Sequence, residues 1–374
     1  VAGEYERPMW YALNNNKAEY KYSFDYQNWY SSVEFETKNT VTNVGLYELS
    51  PFSKYEIKGE LAHLELQRIC TANIKNEVGK STYTQMLNKA GGIETDLTVI
   101  CIEQNHFRII SSAATRTHDK AHINKHLSST LELKDITDDL ICLGLFGPKS
   151  RSLISKISND NFDNETFKFG CGKFINLGLK KVWVQRLSYV GELGFEIYIN
   201  RIDAKEVYQM IITEGKKHDL SHCGSHAMDT MRMESGFLHW GHDISPEENQ
   251  YEAGLNFLIN YKKESNFIGK ESLLKIKEKK KNKRFIILSL VDSKPGAPLL
   301  LHEEPIYLKD KIIGRTTSGN YSFNYKKNMS FGYIKSEYSN EELSKMNLYI
   351  EVAKEKYLAD VELKPLKDKK ARLS

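Results

Sequence analysis

The sequence predicts an α+β (or mixed α/β) protein with a separate all-β region at its C-terminal end. Three observations lead there. At 374 residues the chain can bury a large core, and it should divide into two or three domains. Strand-like runs and amphipathic helical runs are mixed through the first part of the chain. A basic run at 275–284, KIKEKKKNKR, then breaks the composition, and only short strand-like runs follow it. The expected division is therefore 1–275 and 276–374.

Taken in order, residues 60–74 carry Leu61, Leu64, Ile69 and Ile74 among polar residues and predict a helix. Residues 83–88, YTQMLN, predict a strand leading into GGIETDL at 91–97. His118 and Asp119, after Thr115-Arg-Thr117, predict a helix start and not a catalytic pair. The alternating run KVWVQ at 181–185 predicts a strand that enters a tight turn, RLSYVGELGFE at 186–196, where Gly191 and Gly194 permit close folding. Asp203 with Glu206 predicts a capping box opening a helix that runs to Gly215, with Val207, Met210 and Ile211 as its apolar stripe. Residues 225–237 predict another helix, with Ala227, Met228, Met231 and Gly236 available for packing; Met231 reads as core. The run at 275–284 reads as a solvated helix end and linker, because no aromatic residues interleave with it. Beyond it, 285–290, 306–309, 312–317, 348–352 and 358–363 predict short strands separated by Gly, Pro and Asn, as in a small barrel or sandwich. No internal repeat is present.

Composition narrows the function. Hydrophobic residues are 40% and charged residues 27%, which is ordinary for a globular protein. The net charge of +4, from 53 basic and 49 acidic residues, is spread along the chain and does not point to nucleic acid. A mild positive bias suits an acidic small ligand. No run approaches a membrane helix and no signal-peptide pattern opens the chain. The five cysteines are isolated and odd in number, with no C-x-x-C pair. They predict a reducing, cytoplasmic setting without disulfides or zinc, and Cys101, Cys142 and Cys171 read as core. A chain starting at Val1 is expected to be processed, tag-cleaved or a piece of something longer. No serine nucleophile elbow, phosphate loop or G-x-G-x-x-G is present. His239, His242 and Asp243 have metal-like spacing but no further convergent ligand, so no metal is expected and the segment reads as a cleft or structural loop.

The turn at 186–196 is the most informative stretch. It puts Tyr189, Glu192 and Glu196 on or near one bend. A carboxylate accepts the paired N–H and amino donors of a flat heteroaromatic ring, while an aromatic or apolar wall covers a ring face. The same residues also suit a hairpin edge with solvated glutamates.

That turn belongs to an ordered set: GGIETDL at 91–97, GLFGPK at 144–149, the turn itself, and RMESGFLHWGHDISPEENQYEAGL at 232–255. In this order they resemble the folate-dependent aminomethyltransferase family, whose founding member is the glycine cleavage T-protein. RMESGFLHWGHDISP, with GEYERPMWYAL at 3–13, is more specifically similar to the folate-binding C-terminal half of dimethylglycine and sarcosine dehydrogenases. The resemblance runs from about residue 5 to 369. It implies a three-domain cloverleaf around a central folate cleft, a C-terminal β-barrel domain, and tetrahydrofolate as cofactor.

The resemblance also assigns residues. Asp96 matches the aspartate beside N5 and N10 of tetrahydrofolate, with Thr95 where relatives often carry a second acid. Glu196 matches the glutamate that holds the pterin N3–H and 2-amino group, and Tyr189 a tyrosine that contacts the folate. Tyr83 and Thr84 match cleft-lining positions, Ser112 a polar neighbour of the folate, and Phe52 an apolar pterin wall. Glu192 is expected to face solvent. Met228 and Asp368 stand where the T-protein has arginines for the folate tail, which leaves Lys367 or Lys369 as substitutes.

The implied reaction captures an iminium or formaldehyde unit from an N-methyl amine, dimethylglycine- or sarcosine-like, as 5,10-methylene-tetrahydrofolate. A flavoprotein domain or subunit would be the partner. One alternative is a stand-alone demethylase acting on an onium substrate. Another is a non-catalytic folate-binding accessory protein, whose characteristic cysteine is missing from EENQYEAG at 247–254.

Overall fold

The computed structural model describes residues 5–13, 17–279 and 282–368. Helix α1 (Tyr30–Thr42) is followed by strands β1 (Val44–Glu48) and β2 (Ser53–Lys58), and helix α2 (Ala62–Ile69) by β3 (Ser81–Leu87), β4 (Ile93–Glu103) and β5 (His106–Ser111). Helix α3 (Arg116–His126) leads to β6 (Leu133–Asp135) and β7 (Leu140–Phe146), and α4 (Ser150–Ile157) to β8 (Gly172–Leu177), β9 (Lys180–Gln185) and β10 (Gly194–Asn200). Then come α5 (Ala204–Gly215), β11 (Leu220–Cys223), α6 (Ser225–Glu234) and α7 (Lys270–Glu278). The remaining elements are β12 (Lys283–Leu290), β13 (Pro305–Leu308), β14 (Lys311–Ser322), β15 (Lys327–Lys335), α8 (Asn340–Leu343), β16 (Leu348–Val352) and β17 (Glu355–Glu362).

These strands form two open sheets and a barrel. One sheet has the order β11-β1-β7-β10-β9-β8, the other β3-β4-β5-β2-β6, and the barrel closes as β12-β15-β14-β13-β16-β17. The class is thus α+β, with the C-terminal strands closed into a barrel and not stacked as a sandwich. Closure removes exposed edges.

The two open sheets face each other across one apolar cluster. Tyr47, Cys142, Trp183 and Tyr198 come from the first sheet, Ile100 and Ile102 from the second, and Met228 and Met231 from α6. Met231 is fully buried, as its helical spacing predicts. Separate cores fill the outer side of each sheet and the barrel interior.

Helix α6 is clamped from several sides. The Pro8 and Met9 carbonyls accept the Ser225 and His226 N–H groups, both at 3.0 Å. Glu36 of α1 accepts Tyr11 N–H at 2.6 Å and Gly224 N–H at 2.9 Å. The N-terminal segment thereby satisfies orphan donors where α6 begins.

Several expectations change in detail. The helix expected over 60–74 covers only Ala62–Ile69, and the one expected over 225–237 ends at Glu234. Helix α5 forms as expected, but Asp203 makes no capping hydrogen bond. Instead Asp203 and Glu206 both reach Lys180, at 2.9 and 3.1 Å. The sequence reading did not mark β15, whose Asn328 and Gly332 look like turn residues. Gly332 is required there: a Cβ would lie 2.6 Å from the Arg315 carbonyl oxygen. Cys101 and Cys142 are buried, whereas Cys171 is half-buried with Lys80 Nζ at 3.3 Å. Among the described residues, no helix is long and apolar enough to cross a membrane.

Candidate active site

Asp96 sits on β4, where its register partner across β3 is Gln85. Cross-strand partners share a face, so the Gln85 amide reaches the carboxylate: Nε2 donates to Asp96 Oδ1 at 2.7 Å. The Tyr83 hydroxyl, two residues earlier on the same face, also hydrogen-bonds the Asp96 carboxylate. Burial raises the Asp96 pKa to about 6, the donors Gln85 and Tyr83 work against that rise, and the nearby Asp119 charge adds to it.

Glu196 sits on β10 of the facing sheet. Its cross-strand neighbours are Gly144 and Gln185. The Tyr198 hydroxyl donates to Glu196 Oε2 at 2.6 Å. Burial raises the Glu196 pKa and the Tyr198 donor partly offsets it. At Gly144 itself a side chain would not fit, since a Cβ there would be 2.5 Å from the Phe146 ring.

The two acids open onto the same inter-sheet space. Tyr198 belongs to the cluster that contains Ile100, which lies on the Asp96 face of β4. Arg108, the partner of Ile100, stands 5.5 Å over the Tyr198 ring. Tyr189 packs against this cluster and lies within electrostatic reach of Asp96, Asp229 and Arg232. Its hydroxyl donates to the Leu238 carbonyl at 3.0 Å and its ring stacks on Phe237 at 5.9 Å. Asp96, Tyr189 and Glu196 each keep some accessible surface although protein surrounds them deeply. Groups that are deep yet accessible mark an interior cleft.

The other candidates fall as follows. Tyr83 is 38% exposed as a residue, with its hydroxyl turned inward to Asp96. Phe52 packs at the edge of the same cluster, and Lys54 Nζ holds its carbonyl at 2.7 Å. Ser112 is half-buried just beyond β5, at the end of the strand that pairs Ser111 with Leu97 beside Asp96.

Thr84 requires a correction. It pairs with Leu97, on the opposite face from Asp96, and its buried hydroxyl accepts Ala72 N–H at 3.0 Å. The side chains of this stretch that reach Asp96 are Tyr83 and Gln85, on the other face of the strand.

Two further expectations are corrected. Glu192 does not face solvent: it is buried in an ion pair with Lys367 Nζ at 2.5 Å. That pairing takes Lys367 out of the running as a tail anchor, and Lys369 lies outside the described residues. His118 and Asp119 lie in the first turn of α3, as expected, with Nδ1 3.1 Å from Oδ1. Asp243 holds Arg232 at 2.6 Å, and the His239 and His242 rings are 4.7 Å apart.

Two cleft residues went unmarked in the sequence. Gln85 could be found only from register. Tyr198 had a signal, because a residue two places along a strand from Glu196 shares its face.

A carboxylate with one committed oxygen, aromatic and apolar walls, and a second acid on the facing sheet form a donor–acceptor set for a planar, donor-edged heterocycle. These residues fit a reduced pterin. The class defined by this fold and cleft is a folate-dependent one-carbon transferase with a C-terminal barrel.

The comparisons agree. The family model described as GCVT N-terminal domain matches residues 1–263, and the one described as Glycine cleavage T-protein C-terminal barrel domain matches 283–368. Mitochondrial dimethylglycine dehydrogenase from Rattus norvegicus is 32% identical over 90% of this chain, and the match spans 39% of that relative. An aminomethyltransferase from Geobacillus sp. (strain WCH70) is 30% identical, covering 83% of this chain and 84% of the relative. The crystal structure of glycine cleavage system aminomethyltransferase T from Bartonella henselae has the same fold, with a TM-score of 0.81 at 18% identity over 94% of this chain and 95% of that one. The chain belongs to the GCVT aminomethyltransferase family, whose members are tetrahydrofolate-dependent transferases.

Proposed function

We propose that the chain captures an iminium or formaldehyde unit, released by oxidation of an N-methyl amine of the dimethylglycine or sarcosine class, as 5,10-methylene-tetrahydrofolate. A flavin-bearing domain or subunit would deliver the carbon. The observation that carries this reading is Asp96: a cleft carboxylate with a pKa of about 6, flanked by Tyr83 and Tyr189 and facing a second acid, Glu196. Tetrahydrofolate, when bound, supplies the nucleophilic nitrogens that accept the carbon. Asp96, ionised at neutral pH, stabilises an arriving cationic carbon and takes up the proton displaced from nitrogen, passing it to the amine that leaves an iminium donor or to the water lost from formaldehyde. Glu196 holds the ring edge through hydrogen bonds, and Phe52 and Tyr189 keep water from the ring faces.

The relatives support the amine branch. The dehydrogenase match covers nearly all of this chain but about two fifths of the relative's own length. The loss of the tail arginines at Met228 and Asp368 separates the chain from a plain glycine-cleavage enzyme.

The test is product analysis by mass spectrometry after mixing the chain with tetrahydrofolate and formaldehyde, or with a methylated amine oxidised in situ by a flavoprotein. Methylene-tetrahydrofolate should form faster than the spontaneous condensation, and Asp96→Asn should remove the acceleration. Formation of 5-methyl-tetrahydrofolate from an onium donor would select the demethylase reading. No acceleration would overturn the proposal.

A further inference from the structure

Asp96 is held by a chain of amides. Gln85 Nε2 donates to Asp96 Oδ1 at 2.7 Å, and Gln85 Oε1 accepts Gln250 Nε2 at 2.5 Å. Gln250 Nε2 also donates to Thr71 Oγ1 at 3.0 Å. Both glutamines are fully buried. Gln250 comes from the turn-rich segment after α6, which is tied to the strand pair by the hydrogen bond from Ile93 N–H to the Glu248 carbonyl at 2.9 Å.

The direction of this chain follows from its end. An ionised carboxylate only accepts, so the amide facing it must present its NH2. The carbonyl of Gln85 then faces Gln250, which must present its own NH2 in turn. The arrangement leaves Gln250 Oε1 buried without a partner. An orphaned buried acceptor is unfavourable, and it persists only where the surroundings dictate it. Here the dictating demand is a donor for Asp96.

Glutamine carries no charge. An arginine or lysine in its place would pull the carboxyl well below neutrality, and a glutamate would compete for the proton. Two neutral amides orient the acid and leave it able to titrate. The other groups facing Asp96 are Tyr83 from β3, Asp119 from α3 and Tyr189 from the β9–β10 turn.

We infer that Gln85 and Gln250 are positioning residues for Asp96: set head to tail, they commit Oδ1 to an uncharged N–H donor and hold the carboxyl, beside the Tyr83 hydroxyl, in an orientation from which it can still exchange its proton. This rests on the reading of Asp96 as the reacting acid.

The experiment follows the Asp96 carboxyl directly, by 13C NMR of aspartate-labelled full-length chain, with Asp96→Asn identifying the signal. Turnover against pH is measured in parallel. Gln85→Met removes the donor, so Asp96 should titrate about one pH unit higher, and the acid limb of the rate profile should move with it. Gln250→Met leaves the strand pair intact and frees Gln85 to turn. It should move the titration in the same direction by less, with KM for tetrahydrofolate within about threefold and kcat lowered. It also carries the test if Gln85→Met does not fold. A folded Gln250→Met with an unmoved Asp96 titration and normal kcat overturns the inference. If Asp96→Asn keeps full turnover, the parent reading fails instead, while the NMR shifts still report whether the amides hold the carboxylate.

Discussion

Two acids of this chain, Asp243 and Asp96, sit in opposite circumstances. Asp243 lies in the seam between α6 and the barrel and is saturated with donors. Arg232 Nη1 and His239 N–H reach its Oδ2 at 2.6 and 2.9 Å, and Thr317 and Ser318 reach its Oδ1 at 2.6 and 2.8 Å. Asp96 has two donors, the Gln85 amide on Oδ1 and the Tyr83 hydroxyl, and a pKa of about 6. The seam spends every acceptor on holding two domains together. The cleft keeps acceptor capacity unspent, which is what a proton-exchanging or ligand-gripping group needs. Saturation therefore distinguishes the seam acid from the cleft acid better than burial does.

The comparison breaks most severely at Arg232. Its Nε donates to Asp229 Oδ1 at 2.8 Å, its Nη2 to Ser318 at 2.9 Å, and its guanidinium lies 5.3 Å over the Phe331 ring. Arg232→Met strands the Asp243 charge in the seam. Urea unfolding should register a loss of about 3–5 kcal/mol, the usual consequence of leaving a buried charge unpaired. A loss below about 1 kcal/mol would mean that the seam is not the structural half of the contrast.

Asp96→Asn should act in the opposite sense on stability. The folded pKa of Asp96 is raised above its ordinary value. Between the ordinary value and about 6 the folded state binds the extra proton, so the wild type loses stability as pH rises through that window. The asparagine variant should therefore melt higher than wild type at pH 7, and the gap should close as pH falls through about 6. Turnover should fall by about 10²–10⁴-fold, the range for losing a general acid–base group. Wild-type turnover should itself decline below about pH 6, where Asp96 becomes neutral. A variant that melts lower at every pH would make Asp96 a structural acid like Asp243.

The seam and the cleft were unequally legible in the sequence. The cleft acids lie in short, ordered motifs, and the glycines around them announce turns. Gly191 takes φ +72°, and a Cβ there would lie 2.1 Å from Ser235 Oγ. Asp243 looked like a metal-spaced residue, because its partners come from α6 and the barrel and no local pattern joins them. Motif position points to Thr84 because it names a stretch of strand but not the face, which register decides. Gln250 was invisible for the same reason at longer range. Strand β15 escaped notice because a barrel interior demands Gly332 where propensity reads a turn. The capping box failed because Lys180 offers Asp203 and Glu206 a charged partner instead of a backbone N–H.

The smallest effects test whether unspent acceptor capacity at Glu196 serves the ligand. Glu196→Ala should weaken tetrahydrofolate binding by about 1.5–3 kcal/mol in calorimetric titration, the range for hydrogen bonds to a charged group. Equal affinity would remove Glu196 from the site. Tyr198→Phe is subtler. The Tyr198 hydroxyl is the donor that, among the described residues, counters the burial-raised pKa of Glu196, so its loss should raise that pKa further. At a pH above the titration of both forms the carboxylate is ionised and one orienting hydrogen bond is missing, so binding should weaken by about 0.5–1.5 kcal/mol. At lower pH the penalty should grow, because the variant protonates first and a neutral carboxyl loses part of its acceptor character. A penalty independent of pH would show that Tyr198 only packs against Glu196, and the cleft would then hold its acid by shape alone.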